Sequence, residues 1–170
     1  MSQSQPTKLN IRPFQAADLP QMQDVRRRAF ADIFRGFVAE VSPAVADGEF
    51  RHADRDQAAY LARAADDPAL PAFVVLTEDD RVVGFCGYQY DPATGAGSID
   101  LNAIDPACQN RGHGTRLIEH ALDRLRDAGA RYFKASTGGD AAHAPARAAY
   151  RKAGFAGGLI PSMTLYRPVS

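Results

Sequence analysis

The spacing of hydrophobic and polar residues divides this chain into extended and helical parts. Residues 8–12 alternate between apolar and polar, which predicts a half-buried strand. Between residues 19 and 37 the apolar residues recur every three or four positions, so an amphipathic helix capped by Asp18 is predicted there. A second helix is predicted from Asp54 to the residue before Pro68.

The segment between these two helices, residues 38–53, is predicted to form a loop with room for one short turn. It contains Pro43 and Gly48, and these residue types interrupt regular structure because one lacks a backbone N–H and the other lacks a side chain. The segment is either a lid over a substrate cleft or a plain surface connection, and the pattern leaves both alternatives open.

The next part of the chain has the period of β-structure. Residues 72–77, 82–90 and 98–104 are rich in apolar and β-branched residues and are separated by short polar turns. Three consecutive strands with such turns predict an antiparallel meander. Gly84 and Gly87 are expected to weaken the second strand or to mark a bulge in it.

The two faces of the third strand are predicted to differ, because successive side chains of a strand point to opposite sides. One face carries apolar residues that suit the core. The other carries polar residues that suit either a water-filled cleft or bulk solvent. The apolar set is Ile99, Leu101 and Ala103, and the polar set is Ser98, Asp100 and Asn102.

Beyond these strands a polar loop at residues 109–114 leads directly into an amphipathic helix and then into a strand at 131–137. A strand–helix–strand passage of this length favours a parallel crossover. Another helix is predicted to begin near Pro145, and a closing strand is predicted at 162–167. The predicted fold class is therefore α/β, with a mixed, mostly antiparallel sheet and helices on both faces.

The loop at residues 109–114, called the phosphate loop below, has the features of an anion site. Its backbone N–H groups lie where a helix begins, so they lack intrahelical partners and the helix dipole there is positive. Gly112 and Gly114 let the backbone approach a ligand without an intervening Cβ, and neighbouring arginine and histidine side chains are candidates for positive charge. The chain lacks the Lys-Ser/Thr pair of a Walker loop and the third glycine of a dinucleotide fingerprint.

Composition narrows the function classes further. The chain has 170 residues, within the usual size of one domain, and 45% are hydrophobic. Twenty basic residues balance twenty acidic ones, which argues against a nucleic-acid binder. No apolar run is long enough to span a membrane, no secretory signal is evident, and Cys86 and Cys108 lack zinc-site or disulfide spacing. We therefore expect a cytoplasmic protein with no metal and no membrane partner, in which residues 1–6 form a loose tail.

Two segments resemble the motifs of a known family. Residues 104–117 are similar to the pyrophosphate-binding motif of the GCN5-related N-acetyltransferase (GNAT) superfamily. Residues 143–155 are similar to its second motif, a helix that ends in Tyr-x-Lys-x-Gly-Phe, and residues 11–20 resemble its first strand and helix. The resemblance covers nearly the whole chain in the expected order, and it implies a single N-acetyltransferase domain over residues 7–170.

The resemblance implies the acyl-CoA N-acyltransferase fold, with a sheet of six or seven strands. The fourth strand is splayed from the fifth so that the acyl donor, acetyl-CoA, inserts between them. Backbone groups of Ala103, Ile104 and Asp105 would then pair with the pantetheine amides. The pyrophosphate, an anion that suits a helix N-terminus, would be held by the amides of Gln109, Asn110, Arg111, Gly112, His113, Gly114 and Thr115.

The second motif implies further roles. Tyr150 matches a tyrosine that in this family often protonates the leaving thiolate; the alternative is a tyrosine that hydrogen-bonds pantetheine without proton transfer. His143 stands where the family more commonly has an asparagine at the pantetheine arm. His143 and Arg147 share a helix face with Tyr150 and are assigned to cofactor binding. For His143, a helix-capping or solvent-facing role is the alternative.

A general base is needed because only a neutral amine attacks a thioester. Ser98 stands where the histone-acetylating branch of the family has a glutamate, so Asp100, on the same predicted face, is the candidate base; the alternative is a solvated strand carboxylate. A backbone N–H near Ile104 or Asp105 would stabilise the oxyanion. Cys108 is interpreted as an incidental loop cysteine, because no histidine or aspartate stands at an identifying spacing.

Together these observations predict an enzyme that transfers an acetyl group from acetyl-CoA directly to a primary amine. The expected acceptor is a small-molecule or peptide amine of unspecified identity, and the protein is expected to be a monomer or a homodimer. The missing glutamate at Ser98 motivates an alternative, a non-catalytic acyl-CoA-binding sensor or partner-docking module. A generic nucleotide or phosphate binder is the third hypothesis.

Overall fold

The predicted meander forms the centre of one mixed sheet. The computed structural model describes residues 8–156 and 164–167. Its strands are β1 (Leu9–Pro13), β2 (Ala72–Glu78), β3 (Arg81–Asp91), β4 (Ala96–Ile104) and β5 (Tyr132–Ala135). They lie side by side in that order; β1 to β4 are antiparallel, and β5 is parallel to β4, as the predicted crossover requires.

The sheet has five strands among the described residues, whereas the family resemblance implies six or seven. The predicted closing strand at 162–167 lies partly outside the described residues, and its described part, residues 164–167, has no regular secondary structure. The predicted tail at residues 1–6 also lies outside them. The mixed, mostly antiparallel character of the sheet is confirmed, and the higher strand number is not.

Helices cover both faces of the sheet, as predicted. They are α1 (Leu19–Glu40), α2 (Pro43–Val45), α3 (Ala53–Asp66), α4 (His113–Asp127) and α5 (Ala144–Lys152). On one face the core contains Met22 of α1 and Leu61 of α3, and on the other it contains Leu117 of α4 and Tyr150 of α5. Within the described ranges, no helix has the length and apolarity that crossing a membrane would require.

The segment predicted as a loop at residues 38–53 is mostly helical. α1 extends into it, α2 follows, and a π-helical turn spans Ala46–Phe50. Pro43 is tolerated because it occupies the first turn of α2, where a backbone N–H would have no intrahelical acceptor. The rings of Phe37 and Phe50 pack with centroids 5.4 Å apart and hold the turn against α1. Tertiary packing therefore outweighs the local preferences that predicted a loop.

β4 and β5 separate part-way along their length. Their parallel pairing ends with Ile99 opposite Ala135, although β4 continues to Ile104. Backbone groups of β4 beyond this point have no β5 neighbour. The gap that the family resemblance predicts between these strands is therefore present.

A β-bulge lies in β4 at the start of this gap. The residues before and after Gly87 on β3 pair with Asn102 and Ile99. Asp100 and Leu101 therefore both lie opposite Gly87, which is the arrangement of a β-bulge. A Cβ on Gly87 would lie 3.2 Å from the Cβ of Asp100, closer than side chains ordinarily pack. The sequence predicts a bulge in β3, and the one opposite Gly87 lies in β4 instead. β3 has its own irregularity beside Gly84, where its pairing with β2 shifts by one residue.

The bulge changes which face each later side chain of β4 occupies. Ile99 packs in the core beneath α4, whereas Leu101 and Ala103 pack on the face covered by α1 and α3. The prediction that these three residues share a face is wrong, because one extra residue reverses the alternation of a strand. The polar set is separated in the same way, with Asp100 directed to α3 and Asn102 directed to α5.

Candidate active site

The gap between β4 and β5 opens into a cleft of about 870 Å³. Parts of its wall come from the phosphate loop and the start of α4, and other parts come from α1, α3 and α5. Three of the predicted site residues, Asp105, Arg111 and Arg147, are not in the wall. The predicted site residues that line it are Asp100, Ala103, Ile104, Gln109, Asn110, Gly112, His113, Gly114, Thr115, His143 and Tyr150.

The phosphate loop has the backbone of an anion-binding nest. Asn110 and Gly112 have positive φ angles of 62° and 78°, and Gly112 is the N-cap of α4. The first described hydrogen bond into this helix runs from the N–H of Arg116 to the carbonyl of Gly112. Within the described ranges, the amides of residues 110–115 therefore have no backbone acceptor, and they are available to an anion.

His113 is buried at the first position of α4. Its side chain is 5% exposed, and neither ring nitrogen has a hydrogen-bond partner among the described residues. Burial, the largest influence, lowers the pKa of this imidazole below its ordinary value. His113 is therefore uncharged at neutral pH, and it offers the loop a backbone amide rather than a positive side chain.

We expect His113 to make the folded state sensitive to acid. The pKa of His113 is lower in the folded chain than the unfolded value of 6.5. The contribution of His113 to the free energy of unfolding is therefore highest above pH 6.5, where His113 is neutral in both states, and it decreases as pH falls through the folded-state pKa. Thermal unfolding should therefore show that His113→Leu loses less stability than the wild-type protein between about pH 7.5 and about pH 5. His120→Leu, on the same helix, is the control. Equal losses in the wild type and His113→Leu would contradict this account.

One backbone unit at the end of β4 faces the gap. The N–H of Asp105 donates to the carbonyl of Val83 on β3 at 2.8 Å. Because hydrogen-bond direction alternates along an antiparallel strand, Ala103 also faces β3, and Ile104 faces the gap. The carbonyl of Ile104 accepts from the side chain of Gln109 at 3.2 Å. The N–H groups of Ala103 and Asp105 therefore point toward β3 rather than into the gap. The predicted backbone contacts of Ala103, Ile104 and Asp105 with pantetheine stay predictions.

The carboxylate of Asp105 has a structural role. It is 1% exposed and lies 2.9 Å from Arg28 of α1 and 3.5 Å from Arg81 of β3. It also accepts the N–H of Ala107 at 3.1 Å, which caps the turn Pro106–Cys108. Because this turn leads into the phosphate loop, the Asp105 side chain helps to position the loop.

The side chains of Arg111 and Arg147 are engaged outside the cleft. Arg111 lies 3.4 Å from the carboxylate of Glu78. Arg147 donates to the carbonyls of Gly138 at 2.6 Å and Asp140 at 2.7 Å, and thereby fastens the connection between β5 and α5. These loop carbonyls hold the guanidinium of Arg147, and Arg147 is not in the cleft wall. Arg147 thus has a structural role in this loop, and its assignment to cofactor binding stays a prediction.

Tyr150 has its ring in the core and its hydroxyl at the cleft. The side-chain nitrogen of Asn102 donates to this hydroxyl at 2.7 Å and also to the carbonyl of Asp100 at 3.1 Å. Since a carbonyl only accepts, the group that contacts both oxygens is the NH₂ of Asn102, and the Tyr150 oxygen is an acceptor. The phenolic proton of Tyr150 is therefore left to be donated into the cleft.

The surroundings of Tyr150 keep that proton in place. Burial above all raises its pKa to about 12, against the lowering effect of the Asn102 hydrogen bond. The ring packs edge-on against Phe155, with centroids 5.4 Å apart. The sequence predicts that Asn102 lies on the polar face of β4 and indicates no role for it. Its position in the gap depends on the bulge.

Asp100 points from the bulge toward α3. The hydroxyl of Tyr60 donates a hydrogen bond to its carboxylate. Burial, and then the contact with Asp100, raise the pKa of Tyr60 well above its usual value, so the shared proton stays on Tyr60. Asp100 therefore lines the cleft beside a neutral hydrogen-bond donor and is not fully solvated, and its role as base stays a prediction.

His143 lines the cleft at the start of α5. Its Nδ1 lies 2.6 Å from the carboxylate of Asp140, and its ring stacks on Phe37 of α1 with centroids 6.2 Å apart. It is the N-cap residue of α5, but its side chain makes no capping hydrogen bond. The capping alternative is therefore wrong, and a contact between His143 and the cofactor stays a prediction.

Two other chemistries lack support in the described residues. Cys108 lines the cleft, but it is 2% exposed, and burial above all, followed by the nearby Glu78 carboxylate, raises the pKa of its thiol. A protonated, buried thiol is a poor nucleophile. No group of three or more His, Cys, Asp or Glu side chains suited to a metal ion occurs within the described ranges.

Comparison with known proteins identifies the family. The sequence profile of the Acetyltransferase (GNAT) family matches residues 27–155, which is more than half of the chain. The chain belongs to the GNAT acetyltransferase family. A mycothiol acetyltransferase from Segniliparus rotundus is 36% identical to this GNAT chain over 93 residues. That match covers 52% of the chain and 34% of the relative, so the chain spans about a third of the relative's length.

Solved structures share the fold of this GNAT chain. The aminoglycoside N-acetyltransferase AAC(6')-Iy in complex with CoA has a TM-score of 0.65 at 15% identity, covering 96% of this chain and 97% of that one. A GNAT-family protein from Desulfovibrio desulfuricans has a TM-score of 0.64 at 25% identity, covering 89% and 87%. The acyltransferase fold implied by the two motifs is therefore confirmed, and family membership supports an acyl-CoA-dependent N-acyltransferase.

Proposed function

We propose that this GNAT chain transfers an acetyl group from acetyl-CoA directly to a primary amine, with Tyr150 as general acid and Asp100 as general base. The observation that carries the proposal is the hydroxyl of Tyr150, which is protonated and already accepts a hydrogen bond from Asn102. Its proton is thus free for a leaving group in the cleft.

The cleft supports acetyl-CoA as the donor. The phosphate loop offers amides without backbone acceptors to a pyrophosphate, and Ile104 offers the gap a backbone N–H. The volume of about 870 Å³ lies within the range of small-molecule sites. Both the phosphate loop and Ile104 line this same volume, which is the arrangement that a long anionic thioester needs.

In the proposed reaction the acceptor ammonium first gives a proton to Asp100. The neutral nitrogen forms a bond to the thioester carbonyl carbon, the carbon–sulfur bond breaks, and the thiolate takes a proton from Tyr150. The nitrogen loses a second proton as the amide forms; Tyr150 is reprotonated, and one proton is released to solvent per turnover. The N–H of Ile104, which faces the gap, is the proposed donor to the oxyanion.

The sensor alternative depends on the serine at position 98. Ser98 pairs with Gln89 on β3 and Lys134 on β5, and it is not part of the cleft wall. A carboxylate missing from that position therefore removes no group from the cleft, whereas Asp100 supplies one. This placement favours the enzyme over the sensor.

Release of free thiol from acetyl-CoA, measured across a panel of primary amines, tests the proposal. The panel includes an alkylamine, an arylalkylamine, a polyamine, an aminoglycoside, an amino acid and a peptide with a free N-terminus. We expect at least one amine to raise the release rate about 100-fold above the amine-free rate, because the acid and base act only when an acceptor is present. CoA binding without amine-dependent release from any member would support the sensor instead.

A further inference from the structure

We infer that the acceptor is a monoamine with an apolar, ring-sized body. Its ammonium binds at Asp100 and its body lies against the part of the cleft wall formed by α1 and α3, called the acceptor wall below. The acceptor wall comprises Phe30 and Ile33 of α1 and Tyr60 of α3. This inference rests on the proposed function, because it names the acceptor class for the same cleft.

The acceptor wall presents apolar surface to the cleft. Phe30, Ile33 and Tyr60 are only half-buried although all three line the cleft, so part of their apolar surface is open to it. The ring of Phe34 packs against that of Phe30, with centroids 6.0 Å apart, and supports it. Covering such a wall with an apolar body is favourable, because apolar surface is removed from water.

Among the described residues, Asp100 is the carboxylate of the cleft wall that forms no ion pair. Asp100 accepts from the neutral hydroxyl of Tyr60, and among the described residues no cationic side chain forms an ion pair with it. Arg28, which α1 contributes to the cleft, is already paired with Asp24 at 2.8 Å and Asp105 at 2.9 Å. This place therefore attracts an ammonium and repels an acceptor that carries a carboxylate next to its amine.

Among the described residues, the cleft wall offers no second unpaired carboxylate to another ammonium group. Asp32 also lines the cleft, but its carboxylate lies 2.5 Å from Arg35 and its side chain is 80% exposed. A carboxylate that is solvated and already paired contributes little to binding another cation. A polyamine or aminoglycoside would therefore have ammonium groups without a carboxylate partner at this wall. A monoamine with an apolar body can place its one ammonium at Asp100 and its apolar body against the acceptor wall.

The test compares kcat/KM for 2-phenylethylamine, ethylamine, L-phenylalanine and tobramycin at saturating acetyl-CoA. We expect 2-phenylethylamine to exceed each of the others by about tenfold or more, because it alone combines the ring with a single charge. Phe30→Ala should remove most of the preference over ethylamine. Val38→Ala, on the same helix but outside the cleft wall, should preserve it. Equal values for 2-phenylethylamine and ethylamine, or higher values for tobramycin or L-phenylalanine, would overturn the inference.

Calorimetric titration of the CoA-loaded wild-type protein with the same amines separates the two proposals. If no amine is acetylated but 2-phenylethylamine binds about tenfold more tightly than ethylamine, the proposed function fails, and the wall's preference for an apolar monoamine as ligand stands. If polar or polycationic amines are acetylated preferentially, the acceptor class fails and the proposed function stands. Absence of any binding preference for 2-phenylethylamine overturns the acceptor class whatever the turnover.

Discussion

Tyr150→Phe is expected to lower kcat by about 100-fold or more and to change the dissociation constant of CoA by less than about threefold. The substitution removes the phenolic proton that we propose is donated to the thiolate, and it keeps the ring, which packs edge-on against Phe155. Asn102 retains its other acceptor, the carbonyl of Asp100. Steady-state kinetics and calorimetry with CoA measure the two quantities separately.

The matched control is Tyr132→Phe. Tyr132 lies on β5, is 51% exposed and pairs with Ala96 at the closed end of the two strands. It should retain wild-type kcat. An unchanged kcat in Tyr150→Phe would remove Tyr150 from the role of acid, and a parallel loss of CoA affinity would assign it to binding instead.

Asp100→Asn is expected to lower kcat/KM for the amine by about 100-fold at neutral pH. An amide cannot take the proton of the acceptor ammonium, so the variant depends on the small fraction of acceptor that is already neutral. Its kcat/KM should therefore keep rising with pH toward the pKa of the amine itself, about 10 for an alkylamine. The measurement is a pH profile of kcat/KM for the wild type and the variant with one amine.

Asp123→Asn on the outer side of α4, where the carboxylate pairs with Arg126, is the control for this substitution. It should follow the wild-type profile. A constant loss in Asp100→Asn at every pH would mean that Asp100 orients its neighbours rather than accepting a proton. Such a result would transfer the role of base to water.

The parts of the fold that depend on local sequence were predictable. The phosphate loop follows from two glycines placed where a helix begins, and the structure has the left-handed backbone at Gly112 that a glycine favours. The meander follows from three apolar runs with short turns between them. Tyr150 follows from a motif in which a tyrosine precedes Lys-x-Gly-Phe by a fixed interval, and the structure brings it to the cleft.

The parts that depend on tertiary contacts were not predictable from spacing alone. Ile99, Leu101 and Ala103 are all apolar, so a regular strand and a bulged strand fit the sequence equally well. Arg147 donates to two carbonyls of the loop between β5 and α5, and the path of that loop is not specified by the spacing of residues. Tyr60 comes from another helix, and no local pattern connects it with Asp100, 40 residues later.

The glycine at position 87 has a consequence for how relatives of this chain are compared. In a regular strand the side chains of Asp100 and Asn102 would lie on the same side of the sheet. Here they lie on opposite sides, where Asp100 contacts Tyr60 and Asn102 contacts Tyr150. A relative could therefore keep every proton-transferring residue and still be inactive, if a larger residue at position 87 straightened the strand. The residue that distinguishes an active relative from an inactive one would then be Gly87, which contacts neither acetyl-CoA nor the acceptor.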